Sequence, residues 1–386
     1  MRKLGFVDNM LLIASGMKRS LQAGLNAFLD ETSRKKETYS KQAFSKGRQR
    51  IRPEAFKELS DGVVRQFYTF GITNTFKNFH ALAIDGSRYN LPTDALLKAQ
   101  FGVQITSGAE QIQALGSCLF DVLNGMIVDT RFGSCKDSER DHAADMILSL
   151  DESVVSNPLY LMDRGYPSAR LMALIDGRKQ HYVMRCDPTF LKGIRIHDTD
   201  EIITHTFKKY GKPIRFRIIT IQLESGTTEY LATNLFDESI SIEDFKHLYH
   251  LRWGIESKYL DLKEKMQIEN FTGATPIAVR QDYYATLFLA NLCGAMAYDY
   301  RDEIEAIHNK PENKHTYKLN INLTIAALKD HVVEMLLISS PRKRTFLFNR
   351  ILRRLQSAVV PIRPDRKEPR IRRHKLSKYP MNSKKP

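Results

Sequence analysis

The sequence predicts an α/β fold built around a mixed sheet, and three patterns predict it. Two short apolar runs, 79–84 and 159–162, are each followed by an aspartate and, within two residues, by a glycine. An Asn124-Gly125 pair separates two further apolar runs, which is a strong signal for a β-hairpin. A long helical pattern begins near Ser241. Strands that alternate with helices in this way are typical of an α/β domain with a mixed sheet.

The elements can be placed in order along the chain. Residues 1–75 read as helical, with breaks near Gly47 and Pro53, and form a possible DNA-binding region. The catalytic domain is expected at 76–275, followed by helices at 276–357 and a basic, disordered tail at 358–386. Within the catalytic domain we expect strands at 79–84, 113–123, 126–132, 159–162 and 181–185. Helices are expected at 138–150 and 168–176. A β-rich insertion follows at about 187–240, with a hairpin at Ser225-Gly226.

The long helix has a specific start signal. Ser241 followed three residues later by Asp244 fits a capping box, in which each side chain accepts a hydrogen bond from the other residue's backbone. The helix is expected to continue to about Lys265, despite Gly254, which costs roughly 1 kcal/mol relative to alanine.

The positive charge of the chain is concentrated at its end. The net charge is +15, and residues 342–386 contain 16 Lys or Arg and two acids. A second basic run, 34–52, has eight Lys or Arg and one acid, with Tyr39 and Phe44 interleaved. Such clusters suit a polyanion, because each neutralised phosphate releases counterions. A solubilising tail and an ordinary helical cap on the main domain are the alternatives for the two segments.

Several classes of protein are disfavoured by composition. The four cysteines include no CxxC pair, which argues against a structural zinc site and a disulfide framework. The N-terminus has no signal-peptide pattern. The longest apolar run, 283–297, is shorter than the roughly 20 residues that a bilayer span needs. We therefore expect an intracellular protein with no membrane partner.

Asp85 and Asp163 are candidate metal ligands. Each follows an apolar strand, where a rigid sheet holds the side chain and a loop exposes it. Two neighbouring carboxylates repel each other unless they are protonated or bound to a cation. Oxygen-only ligation favours Mg²⁺ or Mn²⁺. The alternative is that each aspartate only begins a turn.

Four residues of the long helix form a further candidate site. Tyr249, Arg252, Glu256 and Lys263 are spaced 3, 4 and 7 residues apart. In a continuous α-helix they fall within an arc of roughly 60°. The alternative is a solvated face with one Arg–Glu pair, worth a few tenths of a kcal/mol.

These residues carry a family resemblance. The spacing Tyr249-x2-Arg252-x3-Glu256-x6-Lys263 matches the YREK signature of transposases of insertion-sequence family four. Asp85, in Ile84-Asp85-Gly86-Ser87, and Asp163, in Met162-Asp163-Arg164-Gly165-Tyr166, resemble the two aspartates of that family's DDE triad. The resemblance implies an RNase H-like, five-stranded mixed sheet with a β-rich insertion between the second aspartate and the glutamate, and added helices at both ends.

The resemblance also implies a reaction. Asp85, Asp163 and Glu256 would hold two Mg²⁺ or Mn²⁺ ions, with Asp85 bridging both. Tyr249, Arg252 and Lys263 would contact phosphates, Trp253 would support a distorted or flipped base, and Arg164 is a further candidate phosphate contact. The partners would be double-stranded DNA, as terminal inverted repeats and as target, and a second copy of the chain in a synaptic homodimer. A bacterial cytoplasmic protein that joins the nucleoid when bound to DNA is expected.

Two alternative functions remain at this point. One is an RNase H-like nuclease without strand transfer. The other is a catalytically inactive, transposase-derived DNA-binding protein. Strand joining separates the enzyme from the first, and metal-dependent cutting separates it from the second.

Overall fold

The computed structural model describes residues 4–15, 20–32, 38–106, 108–223, 226–313 and 315–362. Ser225 and the basic tail beyond residue 362 therefore lie outside the described residues. The chain divides into two compact units. The helical unit comprises Met1–Val63, Tyr89–Gln113 and Asp261–Pro386, and the sheet unit comprises Val64–Arg88 and Ala114–Leu260.

The sheet unit contains most of the strands. Its elements are β1 (His80–Asn90), β3 (Ala109–Asp121), β4 (Met126–Ser134), α6 (Glu139–Ser149), β5 (Pro158–Met162), α7 (Ala169–Gly177), β6 (His181–Cys186), β7 (Asp200–Thr206), β8 (Pro213–Gln222), β9 (Thr228–Thr233), α8 (Ile242–Leu251) and α9 (Trp253–Leu260). The last residues of β1 and the first of β3 belong to the helical unit.

The helical unit contains the two ends of the chain. Its elements are α1 (Phe6–Ala14), α2 (Leu21–Glu31), α3 (Lys41–Arg48), α4 (Glu54–Phe70, whose end enters the sheet unit), α5 (Ala95–Phe101), β2 (Val103–Thr106), a π-helical turn (Asp261–Lys265), α10 (Pro276–His308), β10 (Tyr317–Leu319), α11 (Ile321–Leu337), α12 (Pro341–Gln356) and β11 (Val359–Pro361). In the described part of the chain, no helix combines the length and the apolar character that a membrane span requires.

The strand order confirms the RNase H-like fold. Five strands lie in the order β4-β3-β1-β5-β6, with β3 and β4 antiparallel and β1, β5 and β6 parallel. The β3–β4 turn contains Gly125 at φ +74°, as the Asn-Gly signal predicts. Helices α6 and α7 begin after Ser138 and Ser168, whose side chains accept hydrogen bonds from the first helical turn.

The β-rich insertion extends this sheet. Strand β9 pairs antiparallel with β6, and β8 and β7 follow outward. Arg217 of β8 secures the insertion to the start of α8. Its guanidinium bonds both oxygens of Asp200 at 2.7 and 2.6 Å and donates to the carbonyl of Ile240 at 3.1 Å. The insertion therefore continues the sheet and ends next to the start of α8.

The long helical segment differs from the prediction in two places. It begins with the predicted capping box of Ser241 and Asp244. It is interrupted at Arg252, between α8 and α9, and passes into a π-helical turn at Asp261–Lys265. Because a π turn holds more residues than an α turn, the calculated arc does not extend to Lys263.

The helical unit contains the second basic run, of which residues 38–52 are described. Arg48 is 2% exposed, and its guanidinium donates to Gln281 Oε1 at 2.8 Å and to Asp282 Oδ1 at 2.7 Å. Phe44 and Tyr39 are also buried. These three side chains support the reading of this segment as a packed helical cap, whereas the residues 33–37 lie outside the described part.

Candidate active site

Asp85 and Asp163 occupy neighbouring positions in the sheet. Strands β1 and β5 are parallel and pair up to Ile84 and Met162, so the two aspartates are the next residues on adjacent strands. Adjacent strands lie about 4.8 Å apart. Asp163 follows the end of β5 as predicted, whereas Asp85 lies inside β1, which continues to Asn90.

A hydrogen bond joins α9 to β1 at this point. The hydroxyl of Tyr259 donates to the backbone carbonyl of Asp85 at 2.6 Å and accepts from the backbone N–H of Cys118 at 3.1 Å. Tyr259 lies three residues after Glu256, one helical turn along α9. The turn that carries Glu256 is thereby held against the strand that carries Asp85.

The electrostatics place Glu256 in the same neighbourhood. Burial, together with the carboxylates of Glu139 and Glu256, raises the pKa of Asp85 to about 6, against the lowering effect of the Gly86 N–H and of Arg252. Burial is the largest of these causes and the two carboxylates add to it, so a cation bound beside Asp85 would favour its ionised form.

Arg252 is the central cation of the site. It donates to Glu256 Oε1 at 2.9 Å, and its side chain is 1% exposed. Its guanidinium carbon lies 5.6 Å from the centre of the Tyr249 ring and 5.1 Å from that of Trp253. Cation–π contacts of this kind add to the ion pair in holding the guanidinium in place.

Asp163 has two polar neighbours of its own. The hydroxyl of Tyr249 donates to Asp163 Oδ1 at 3.1 Å, and Arg185 Nη1 lies 3.8 Å from the same oxygen. Arg185 of β6 is also paired with Glu229 of β9. Tyr249 is 4% exposed, and burial followed by the charge of Asp163 raises its pKa well above the usual range. It therefore acts as a hydrogen-bond donor to the carboxylate.

Four groups near the site were not predicted. Glu139, the first residue of α6, lies against Gly86 so closely that a Cβ there would come within 2.8 Å of its carboxyl carbon. Tyr166, Tyr259 and Arg185 complete the set. Tyr166 is buried beside Asp85 and Glu139, and burial with these charges raises its pKa. Of these four, only Tyr259 has a signal in the sequence, because it lies near the arc of Tyr249, Arg252 and Glu256.

The remaining predicted residues have different surroundings. Trp253 is 42% exposed, and Arg164 is exposed on the loop after β5. Lys263 belongs to the helical unit, where its ammonium lies 5.0 Å above the ring of Tyr89. Tyr249 and Arg252 are buried against the acids, so neither side chain offers a surface to a phosphate in this conformation.

The three acids do not form a ready-made metal site. Among the described residues, no three His, Cys, Asp or Glu side chains are placed to hold one ion together. The reason is visible in the side chains, since Glu256 faces Arg252 and Asp163 faces Tyr249. Both carboxylates are more than a third exposed, so water reaches each of them. The donor atoms of all three acids are carboxylate oxygens, which fit a hard divalent cation.

Comparison with known proteins identifies similar transposases. Residues 80–292 match the family model described as transposase DDE domain. Transposase InsG for insertion sequence element IS4, from Escherichia coli (strain K12), is 23% identical over 360 residues, which cover 89% of this chain and 78% of that protein. A cryo-EM structure of the piggyBac transposase synaptic complex with hairpin DNA is 11% identical, with a TM-score of 0.45, and the match covers 90% of this chain and 74% of that one.

Proposed function

The chain belongs to the transposase DDE-domain family and is a DNA transposase, and we propose that Asp85, Asp163 and Glu256 are its catalytic acids. With them it cuts DNA at the ends of an insertion sequence and joins those ends to target DNA. The observation that carries this assignment is the convergence of the three acids. Asp85 and Asp163 lie at adjacent positions of the paired strands β1 and β5. Glu256 lies on α9, whose Tyr259 donates to the Asp85 carbonyl, and the Glu256 carboxylate contributes to the raised pKa of Asp85.

The three acids would hold two divalent ions, Mg²⁺ or Mn²⁺. Ions bound there would help to activate the attacking water or DNA 3′-hydroxyl and to stabilise the leaving 3′ oxygen. Asp163 and Glu256 would bind them only after turning from Tyr249 and Arg252. Those two side chains set the starting orientation of the carboxylates, and Tyr259 keeps α9 beside β1.

The other predicted residues are assigned to DNA. Trp253 presents an exposed ring beside Glu256, where an unpaired base would stack. Arg164 projects from the same loop as Asp163, where a phosphate near the cut would meet it. For Tyr249 and Arg252, contact with a phosphate requires that the acids first release them. Lys263 is a further proposed phosphate contact.

The proposed partners follow from the reaction. Cutting and joining both ends of an element requires double-stranded DNA, as terminal inverted repeats and as target, and two copies of the chain in one synaptic complex. We also propose that the reaction takes place in the bacterial cytoplasm, on nucleoid DNA, and the similarity to an insertion-sequence transposase of Escherichia coli supports this proposal.

Three substitutions test the assignment. Asp85→Asn, Asp163→Asn and Glu256→Gln should each abolish both cleavage and strand transfer on a duplex that carries the inverted repeats flanking the gene, in Mg²⁺ or Mn²⁺. Glu243→Gln, at an 80% exposed acid of α8, makes the same charge change and should leave both activities intact. Binding of the duplex, measured without divalent metal, should persist in all four variants. Retained cutting by any of the three would refute the role of that residue.

A further inference from the structure

Helix α12 has an unusual charge composition. Its 16 residues, PRKRTFLFNRILRRLQ, include six Lys or Arg and no acid. The sequence predicts helices up to residue 357, and the first third of the basic segment 342–386 does belong to a helix of the helical unit.

The two sides of α12 differ in burial. Leu347, Ile351, Leu352 and Leu355 are buried, and α12 packs against α11. The ring of Phe348 lies 6.0 Å from that of Tyr300 on α10. The apolar side of α12 is therefore buried by packing inside the helical unit.

The opposite side is an exposed basic stripe. At about 100° per residue, five basic side chains fall within an arc of roughly 120° that contains none of the four buried leucine and isoleucine residues. All five are exposed: Arg342, Lys343, Arg350, Arg353 and Arg354. Phe346, near the middle of this arc, is 64% exposed. We call these six residues the α12 stripe.

The α12 stripe is weakly neutralised within the described part of the chain. Arg350 lies 3.9 Å from Glu334 of α11, a marginal ion pair. No carboxylate described by the structure is within ion-pair distance of Arg342, Lys343, Arg353 or Arg354. Concentrated and uncompensated positive charge on a rigid helix repels itself, and a polyanion relieves that repulsion.

We propose that the α12 stripe binds the phosphate backbone of duplex DNA. Arg342 and Arg353 are eleven residues apart, which is roughly 16 Å along the helix axis. Duplex DNA carries one negative charge per about 1.7 Å of its own axis, so a stripe of this length can meet several phosphates at once. Phe346 contacts the deoxyribose between them. The inference needs the enzyme to act on DNA but does not depend on the assignment of the catalytic acids.

The packing also selects between two polyanions. A basic amphipathic helix that lies on a membrane inserts its apolar face among the lipids. In α12 that face is packed inside the helical unit, and Phe346 is the one large exposed apolar side chain of the stripe. Duplex DNA needs only the charged side.

The test is a salt titration of binding to a short duplex of arbitrary sequence, without divalent metal, so that the catalytic acids play no part. Replacing Arg342, Lys343, Arg353 and Arg354 together by Gln should reduce the slope of log K against log salt by about three to four, because each lost phosphate contact removes about one. Affinity at low salt should fall by at least about tenfold.

Two matched controls sharpen the result. Replacing the exposed Lys192, Lys208, Lys209 and Lys212 by Gln removes the same charge from the insertion. Within α12, Arg344 lies outside the arc and donates to the carbonyl of Ile338 at 2.6 Å, so Arg344→Gln should weaken binding less than Arg353→Gln. Unfolding temperatures of all variants establish that each is folded.

A loss of DNA affinity in the stripe variant but not in the insertion variant supports the proposal. An equal loss in the insertion variant would show a general charge effect and overturn it, as would unchanged binding by the stripe variant. Unchanged DNA binding with lost binding to phosphatidylserine vesicles would assign the stripe to a membrane. If the stripe variant fails to bind while wild-type protein binds but never cuts, the proposed catalytic function fails and this inference stands.

Discussion

Arg252 and Glu256 form an ion pair in which one partner is buried and the other is half-exposed. The guanidinium, 1% exposed, donates to Glu256 Oε1 at 2.9 Å, while the glutamate is 39% exposed. A buried cation depends on its carboxylate, whereas the carboxylate has water as an alternative. The proposed binding of Glu256 to a metal ion would therefore leave the buried guanidinium of Arg252 without its carboxylate.

Glu256→Ala should destabilise the protein more than loss of a half-exposed side chain normally does. Removing one partner of a fully buried pair costs about 3–5 kcal/mol, and we expect about 1–3 kcal/mol here because water reaches the glutamate. Glu256→Gln keeps an oxygen acceptor for Arg252 and should cost clearly less. Urea unfolding of the metal-free proteins measures both. An alanine variant as stable as wild type would show that Arg252 does not depend on this partner.

Tyr249→Phe should weaken the site without unfolding it. The substitution removes the hydroxyl that donates to Asp163 Oδ1 and leaves the buried ring in place. Partners that orient a metal ligand are typically worth about 10–100-fold in metal affinity or activity. We expect a loss of that size in Mn²⁺ binding, measured by calorimetry, and in cleavage.

The matched control for Tyr249 is Tyr182→Phe. Tyr182 is equally buried, and its hydroxyl has no hydrogen-bond partner among the described residues. This variant should bind Mn²⁺ as wild type does. Equal effects of the two substitutions would mean that the Tyr249 hydroxyl has no special role at Asp163.

Asp85 should make the metal-free protein less stable at neutral pH. Its pKa is about 6 in the folded state and near 3.8 in the unfolded chain. Between these values the folded state holds a proton that the unfolded state has released, so the contribution of Asp85 to stability falls as pH rises from 3.8 to 6 and is constant above. Asp85→Asn, which carries no charge, should therefore be more stable than wild type above about pH 7, by on the order of 1–3 kcal/mol.

The advantage of Asp85→Asn should vanish as pH falls toward 4, and thermal unfolding across the pH range measures it. Mg²⁺ should raise the unfolding temperature of wild type at neutral pH and have little effect on the variant, because an ion that binds only the folded state stabilises it. A variant that is less stable than wild type at neutral pH would contradict the burial cost assigned to Asp85.

The sequence predicted those parts of the site whose signals are local. The Asn124-Gly125 hairpin, the helix starts at Ser138 and Ser241, and the position of Asp163 after β5 all depend on a few adjacent residues. The spacing of Tyr249, Arg252 and Glu256 likewise lies within two turns of one helical segment. These features were placed correctly because the chain specifies them without reference to distant contacts.

The features that sequence reasoning missed depend on distant contacts. Glu139 reaches Gly86 only because the sheet brings the start of α6 beside β1. Strand β1 continues through Asp85, whose carbonyl bonds Tyr259, and no local signal shows this. Insertion strand β9 joins the central sheet through pairing with β6. The π turn at Asp261–Lys265 likewise cannot be predicted from the residue spacing, and it moves Lys263 out of the arc of Tyr249, Arg252 and Glu256.

Substitution of the buried Arg48 tests whether the second basic run, 34–52, is a packed helical cap or a DNA-binding element. Arg48→Ala should destabilise the protein by about 3–5 kcal/mol, because it leaves Asp282, itself 11% exposed, without its cation. Arg50, two residues later, is exposed, and Arg50→Ala should change stability by less than about 0.5 kcal/mol. Urea unfolding compares them. If Arg50→Ala instead lowers DNA affinity while Arg48→Ala is as stable as wild type, the segment 38–52 is a DNA-binding element and not a cap.

Gly254 lies where α9 passes over β3, and its replacement tests how rigid the site must be. A Cβ at this position would lie 3.5 Å from the side chain of Val122 and 3.7 Å from that of Phe120, both ordinary van der Waals distances. Because Gly254 is the second residue of α9, Gly254→Ala should stabilise the protein by somewhat less than the roughly 1 kcal/mol that separates glycine from alanine in a helix interior.

Gly86→Ala provides the contrast. Its Cβ would lie 2.8 Å from the carboxyl carbon of Glu139, so the Glu139 side chain must shift. Thermal unfolding and cleavage should separate the two alanine variants, with Gly254→Ala more stable and fully active and Gly86→Ala impaired in cleavage. If Gly254→Ala is more stable but cuts slowly, then α9 must bend at Gly254 for Glu256 to leave Arg252, and the interruption of the helix at Arg252 is part of the reaction.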